Sequence, residues 1–263
     1  MTEDSPLEVS RLVFHRGGMR IVDDVSFTLR WNEIFAVVGS NGSGKTALLR
    51  LLVGLDVPSA GTVRLFGLDL ARASRRELED VRRQLGVVFQ EGGLIDSLTV
   101  DENVRLPLAR GARRDRDDVD VKVRVRLIEL KIEGYQDFYP AQLSAGVAQR
   151  VQLARALVPG PRLLVCDDPG SRLDRPAAAE LEELLSTLAR RARLTAIVAT
   201  PDWAMARRLA GRVAVLDRGR LVAVGTPVEI EAMGPEDSRL RRLIDGGSIG
   251  PELRADGRSR VDA

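Results

Sequence analysis

Gly39-Ser40-Asn41-Gly42-Ser43-Gly44-Lys45-Thr46 fits the pattern G-x-x-x-x-G-K-[ST] at every constrained position. The chemistry of that pattern is phosphate binding. Glycines let a backbone wrap closely around phosphoryl oxygens. Successive N–H groups and a helix N-terminus then supply positive potential. Lys45 is expected to reach the β- and γ-phosphates of a nucleotide, and the Thr46 hydroxyl to ligate Mg²⁺. The chain carries 40 Lys and Arg, yet lysine occurs only at Lys45, Lys122 and Lys131. A compact ammonium and a planar guanidinium are not interchangeable at a tight phosphate site. Far along the chain, Leu163-Leu164-Val165-Cys166-Asp167-Asp168 places two carboxylates after an apolar run. Asp167, at the end of a buried strand, is expected to hold the Mg²⁺ through water. Cys166 reads as a buried strand residue and not as a reactive thiol.

Such groups work only where strands and helices fix them. Ile34–Val38 reads as a buried strand feeding the loop. Leu48, Leu49, Leu51 and Leu52 read as a helix leaving it, closed by Gly54. Residues 7–31 alternate apolar and polar around Gly17-Gly18, which predicts an antiparallel pair. Val63–Phe66 is a further strand, Arg75–Gln84 a polar helix and Leu85–Phe89 another strand. From about 92 to 158 charge runs such as Arg113–Asp118 interrupt helical patterns, and Ala145–Leu157 reads as a helix. This segment predicts an inserted helical subdomain. Arg162–Cys166, Thr195–Thr200 and Val213–Asp217 read as strands, and Ala177–Arg190 as an amphipathic helix. Strands alternating with helices predict an α/β fold with a largely parallel sheet. The domain is expected over 7–235. Residues 236–263, polar and rich in Arg and Gly, are expected to form a C-terminal tail, docked on a partner or mobile.

Composition excludes other classes. With 44% hydrophobic residues, 263 residues can bury a full core. Forty basic against 38 acidic residues leave a net charge of +2, which argues against a nucleic-acid binder. The one cysteine, Cys166, forms no disulfide within the chain and fits a reducing compartment. His15 is the one histidine, so no mechanism with two histidines is available. Met1–Pro6 is acidic and polar, unlike a signal peptide. No run of about 18 apolar residues is present to span a membrane.

With these motifs in order, the chain resembles the ATPases of ABC transporters over about residues 7–232. Gly39–Thr46 looks like their Walker A and Val165–Asp168 their Walker B. Gln90, after a strand, matches the Q-loop glutamine, which links the metal site to the membrane subunit. Leu143-Ser144-Ala145-Gly146-Val147 resembles the LSGGQ signature, and Ser171-Arg172-Leu173-Asp174 the D-loop. The resemblance implies a P-loop NTPase of ABC type: a RecA-like core sheet, an antiparallel β subdomain and an inserted α-helical subdomain, using ATP and Mg²⁺. It implies catalytic roles for Lys45, Gln90 and Asp168, and metal contacts from Thr46, Gln90 and Asp167. It also implies head-to-tail pairing with a second ATPase chain, identical or different. Ser144 and the N–H of Gly146, flanking Ala145, then contact the γ-phosphate held by the partner, with Asp174 nearby. An integral membrane permease is the implied partner, with this chain cytoplasmic and peripheral on the inner face of the membrane. A finer likeness exists to the ATPases of Mce/Mla-type phospholipid transporters. It rests on Val88-Phe89-Gln90-Glu91-Gly92-Gly93-Leu94-Ile95, Leu98-Thr99-Val100, Glu102-Asn103-Val104 and Pro107-Leu108. Arg241-Arg242-Leu243-Ile244-Asp245-Gly246 and Gly250-Pro251 in the tail add to it. It implies Mce-domain partners.

The chain departs from the family pattern in four ways, at five positions. Asp168 stands where a glutamate positions the attacking water. Pro201, in Val198-Ala199-Thr200-Pro201-Asp202, replaces the switch histidine and has no hydrogen to donate. Ala145 and Val147 replace Gly and Gln of the signature. Arg16 stands where an aromatic stacks on adenine, a role its guanidinium plane can fill. Phe14 and His15 are the alternatives. The binding half of the machinery is thus intact and the hydrolysis half is altered twice. Three readings follow: a slowly hydrolysing transporter motor, a regulatory ATP-binding module without turnover, or a soluble ABC protein acting on nucleic acid. The single phosphate loop and the low net charge argue against the third.

Overall fold

A computed structural model of the chain describes residues 5–90, 93–109 and 116–245. Glu91, Gly92, the first half of the charge run at 113–118 and the tail from Gly246, with Gly250-Pro251, lie outside the described residues. In chain order the elements are β1 (Leu7–Arg16), β2 (Met19–Leu29), β3 (Ile34–Val38), α1 (Lys45–Leu52), β4 (Ala60–Leu65), β5 (Leu68–Asp69), α2 (Arg75–Arg82) and β6 (Leu85–Val88). Next come α3 (Val100–Arg105), α4 (Arg116–Glu129) and α5 (Ala145–Leu157), then β7 (Leu163–Asp167), α6 (Arg175–Ala192) and β8 (Thr195–Thr200). The chain continues through α7 (Trp203–Leu209), β9 (Arg212–Asp217), β10 (Arg220–Gly225), α8 (Pro227–Met233) and α9 (Ser238–Ile244).

Two sheets result. An antiparallel sheet has the order β2-β1-β4-β5, and a six-stranded sheet has the order β10-β9-β3-β8-β7-β6. The second is parallel except at β10, which pairs antiparallel with β9. Side chains alternate across each strand, so its two faces feed different cores. Phe35 and Val37 of β3, Val165 of β7 and Ile197 of β8 join α1 and the antiparallel sheet in one cluster. Leu164, Cys166, Ala196 and Val198 point the other way, to α5, α6 and the helical subdomain. Ala36, Val38, Val213 and Val215 meet Trp203, Ile230, Leu240 and Leu243 in a third cluster. Burial on both faces explains why these strands read as continuous apolar runs.

The helical subdomain holds its entry loop with one buried side chain. Asn103 is fully buried. It accepts from Ile95 N–H and donates to the carbonyls of Ile95, Leu98 and Thr99. Asn103→Ala leaves the Ile95 N–H and the Leu98 carbonyl without that partner, whereas the Ile95 and Thr99 carbonyls keep the backbone donors Leu98 N–H and Asn103 N–H, and it should lower stability by about 3 kcal/mol. Chemical denaturation checks this; a loss below about 1 kcal/mol would show that the loop is held elsewhere.

Several elements were not expected: β5, α7, β10, α8 and α9. The expected tail does not begin as one. Leu240 and Leu243 of α9 are buried against their own chain, and the boundary at 235 falls between two helices that pack together. The helix expected over Ala177–Arg190 runs longer, because Asp174 caps it by accepting from Ala177 N–H at 2.9 Å and Pro176 suits its first turn.

Candidate nucleotide site

Parallel strands end at one edge, and ligands bind there. Val38 lies opposite Thr200 and Asp167 opposite Ala199, so the loop after β3 and the carboxylates after β7 share that edge. Gly44 has φ +104° and its carbonyl accepts from Leu48 N–H at 2.9 Å, opening α1. A Cβ on Gly39 would lie 2.2 Å from the Leu216 carbonyl and 2.5 Å from Ser43 Oγ. Only glycine fits there. Asn41 and Gly42 cross the exposed tip, while Ser43 and Lys45 are buried. Lys45 Nζ donates to the carbonyls of Gly39 (2.7 Å) and Ser40 (2.9 Å).

Burial pulls the Lys45 pKa down, and the charges of Asp168 and Asp167 oppose it. Asp167 is pushed up by burial, against a hydrogen bond with the Thr46 side chain and the Lys45 charge. Asp168 is pushed up to about 6, chiefly by burial, with Lys45 opposing and Asp167 and Asp202 adding to the rise. Two buried atoms, Asp167 Oδ2 and Ser43 Oγ, have no hydrogen-bond partner. Buried polar atoms without partners are costly and rare. A divalent cation for the carboxylate and a phosphoryl oxygen for the hydroxyl are partners that fit, with Thr46 beside Asp167. Thr46 and Asp167 are the residues that would hold Mg²⁺, which would neutralise phosphate charge there.

Asp168 adopts a left-handed backbone, φ +46°. Its N–H donates to the Ala199 carbonyl (2.8 Å) and its carbonyl accepts from Ser171 N–H (3.1 Å). Pro201 follows the buried Thr200, whose hydroxyl accepts from Asp202 N–H at 3.1 Å. Asp202 caps α7 by accepting from Met205 N–H. Its charge on Asp168 went unnoticed in the sequence. The available signal was an aspartate just before a helical pattern. Gln90 is exposed beyond β6, whose Val88 pairs with Cys166, so it leaves the sheet beside Asp167. Ser144 caps α5 through Val147 N–H at 3.3 Å. Ser144 and Ala145 are exposed, and the segment to Gly146 shares no hydrogen bond with residues 39–46.

Arg16 ends β1 at the Gly17-Gly18 turn. Its side chain is 57% exposed, pairs with Asp56 at 2.9 Å and lies 5.5 Å from the Phe14 ring. Phe14 itself is in the core, which removes it as a stacking surface. His15 remains exposed. Cys166 is fully buried and its thiol is pushed up to about 12 by burial and by Asp167.

The sequence profile described as ABC transporter matches residues 22–171, which hold the phosphate loop, Gln90, the signature segment and both carboxylates. The chain belongs to the ABC transporter family. This ABC cassette therefore has the family's ATPase fold and its ligands, ATP and Mg²⁺. It is 40% identical over 224 residues to the methionine import ATP-binding protein MetN 2 of Listeria monocytogenes serovar 1/2a, covering 85% of this chain and 65% of that protein. Against MetN 1 of Pseudomonas putida identity is 35%, covering 85% and 66%. The sulfate/thiosulfate import ATP-binding protein CysA 2 of Chromobacterium violaceum is 40% identical, with 85% and 59% covered. The chain thus spans just under two thirds of the length of the first two curated relatives. Among solved structures, cbiO1 from Clostridium perfringens, part of the ABC transporter complex cbiONQ, superposes with a TM-score of 0.79 at 26% identity, covering 92% of this chain and 99% of that one. A dimeric ATP-binding cassette in a post-hydrolysis state bound to ADP and Pi gives 0.77 at 29% identity, covering 84% and 98%. Among the described residues no helix is long and apolar enough to cross a membrane.

Proposed function

We propose that this cassette is the ATP-binding, slowly hydrolysing subunit of an ABC transporter. It works from the cytoplasmic face of the membrane, paired head to tail with a second ATPase chain and coupled to an integral membrane permease. The observation that carries the reading is a split within one site. Lys45, Thr46 and Asp167 are gathered for MgATP, while Asp168 is one methylene short of a glutamate and Pro201 offers no hydrogen. Ser144, exposed at the head of α5, and the half-buried Gly146 supply the partner's site. ATP bound between two such surfaces shifts the pair toward closure, because it binds the closed state better. A groove lined by Leu55, Val87, Phe89 and Gln152 opens beside Gln90 and is the seat we assign to the permease.

The relatives named above import methionine and sulfate or thiosulfate, and they lend no support to a phospholipid cargo or to Mce-domain partners. An importer of a small polar solute is the reading they favour. We assign the choice of substrate to the permease. The regulatory reading, binding without turnover, draws on the same two altered positions.

The test is Mg²⁺-dependent phosphate release by the purified chain, with nucleotide binding measured in parallel and Lys45→Ala as the blank. Slow release above the blank is expected. Tight binding with no release favours the regulatory reading. Turnover of about 10 per second, ordinary for an enzyme, would overturn slow hydrolysis.

A further inference from the structure

The phosphate loop rests on a part of the chain that belongs to none of the nucleotide motifs. The turn between β9 and β10 is Arg218-Gly219, with φ +46° and +81°, the two-residue hairpin geometry that needs positive φ at both positions. Gly219 N–H donates to the Ser43 carbonyl at 2.9 Å, and the Gly219 carbonyl accepts from Asp23 N–H at 2.8 Å. A Cβ on Gly219 would lie 2.4 Å from the Ile21 carbonyl, and one on Gly44 would lie 2.7 Å from the same oxygen. Hairpin, loop and β2 therefore meet backbone to backbone at one point. The Asp23 carboxylate holds Arg20 (2.8 Å) and, from β10, Arg220 (2.6 Å), which ties the turn to β2.

In a trans peptide the C=O and the following N–H point in opposite directions. Gly219 fixes the Ser43 carbonyl toward the hairpin, and so aims the Gly44 N–H away from it. We propose that Gly219 is a positioning residue for phosphate binding: it orients the Ser43–Gly44 peptide so that the loop's amides converge on the nucleotide. The proposal rests on the reading of Gly39–Thr46 as the phosphate site.

The molecule supplies its own control. Phe66-Gly67, between β4 and β5, is a turn of the same geometry, φ +50° and +83°, but a Cβ on Gly67 meets nothing within 4 Å. Gly67→Ala carries the backbone strain alone, whereas Gly219→Ala adds a clash with Ile21 and Val22 of β2, which pushes the hairpin off β2 and so shifts the N–H that holds the Ser43 carbonyl. Full-length wild type, Gly219→Ala, Gly67→Ala and Lys45→Ala are compared by displacement of a fluorescent ATP analogue with MgATP and, separately, with adenosine. Gly219→Ala is expected to weaken MgATP about tenfold and to leave adenosine unchanged. Gly67→Ala should lower Tm and keep wild-type affinity for both. Wild-type MgATP affinity in Gly219→Ala, or equal weakening of MgATP and adenosine, overturns the proposal. If Gly219→Ala does not fold, Arg220→Ala loosens the turn without adding an atom and should weaken MgATP about threefold; unchanged affinity there overturns it equally. Wild-type affinity in Lys45→Ala would remove the phosphate-site reading itself, and the proposal with it.

Discussion

Lys45→Ala is expected to weaken MgATP binding by about two orders of magnitude and to leave the nucleotide-free fold nearly as stable. The ammonium is buried and donates to two loop carbonyls. Turning it onto phosphate oxygens exchanges neutral acceptors for charged ones. Hydrogen bonds to charged groups contribute about 1.5–3 kcal/mol each, and two of them account for the loss. Without nucleotide the balance is different. Burial disfavours the charged ammonium, so removing it relieves a desolvation cost as well as deleting two hydrogen bonds. The net change should stay within about 1 kcal/mol. Calorimetric titration reads the affinity and thermal unfolding reads the stability. At a hundred times Kd a ligand adds about 2.7 kcal/mol to stability. Wild type should show that upward shift and the variant should not. A variant that binds as tightly as wild type would place the phosphates elsewhere.

Asp168→Glu should raise phosphate release about tenfold, and Asp168→Glu with Pro201→His about a hundredfold. The longer side chain restores the reach of a base toward the attacking water, and the imidazole restores a donor near the γ-phosphate. The backbone opposes the change. Asp168 has φ +46°, and aspartate tolerates that left-handed region better than glutamate because its short polar side chain bonds locally. The single variant should therefore be less stable by about 1 kcal/mol. Faster release with a lower Tm is the expected pair of results. Unchanged release in both variants would mean that neither position limits hydrolysis in this chain.

The loop and the elements around it were legible because their signals are local. Glycine spacing, one lysine among arginines and an apolar run on each side place Gly39–Thr46 between a strand and a helix. The helix Ala145–Leu157 was read to the residue, since Ser144 is a side-chain cap. What failed was short or depended on distant partners. β10 is an edge strand of six residues whose pairing with β9 defines it. In α9 the arginines mask a helical spacing, Leu240, Leu243 and Ile244, that buries itself on strands far back in the chain. Asp202's charge on Asp168 arises only when β7 and β8 lie side by side. Gly219 carries no local signal of its role, because its contact with Ser43 joins residues far apart in sequence.

Cys166 stands in the middle of the sheet, fully buried and with its thiol pushed up to about 12. No thiolate forms there at neutral pH, and no reagent reaches it. As the chain has one cysteine, its surface is silent toward maleimides and other thiol probes. A cysteine introduced at Val57 or Val228, 74% and 73% exposed, is then the one labelled atom in each protomer. Spin labels or dye pairs at those sites would report the distance between two copies directly, so that opening and closing on ATP become a ruler reading without further engineering.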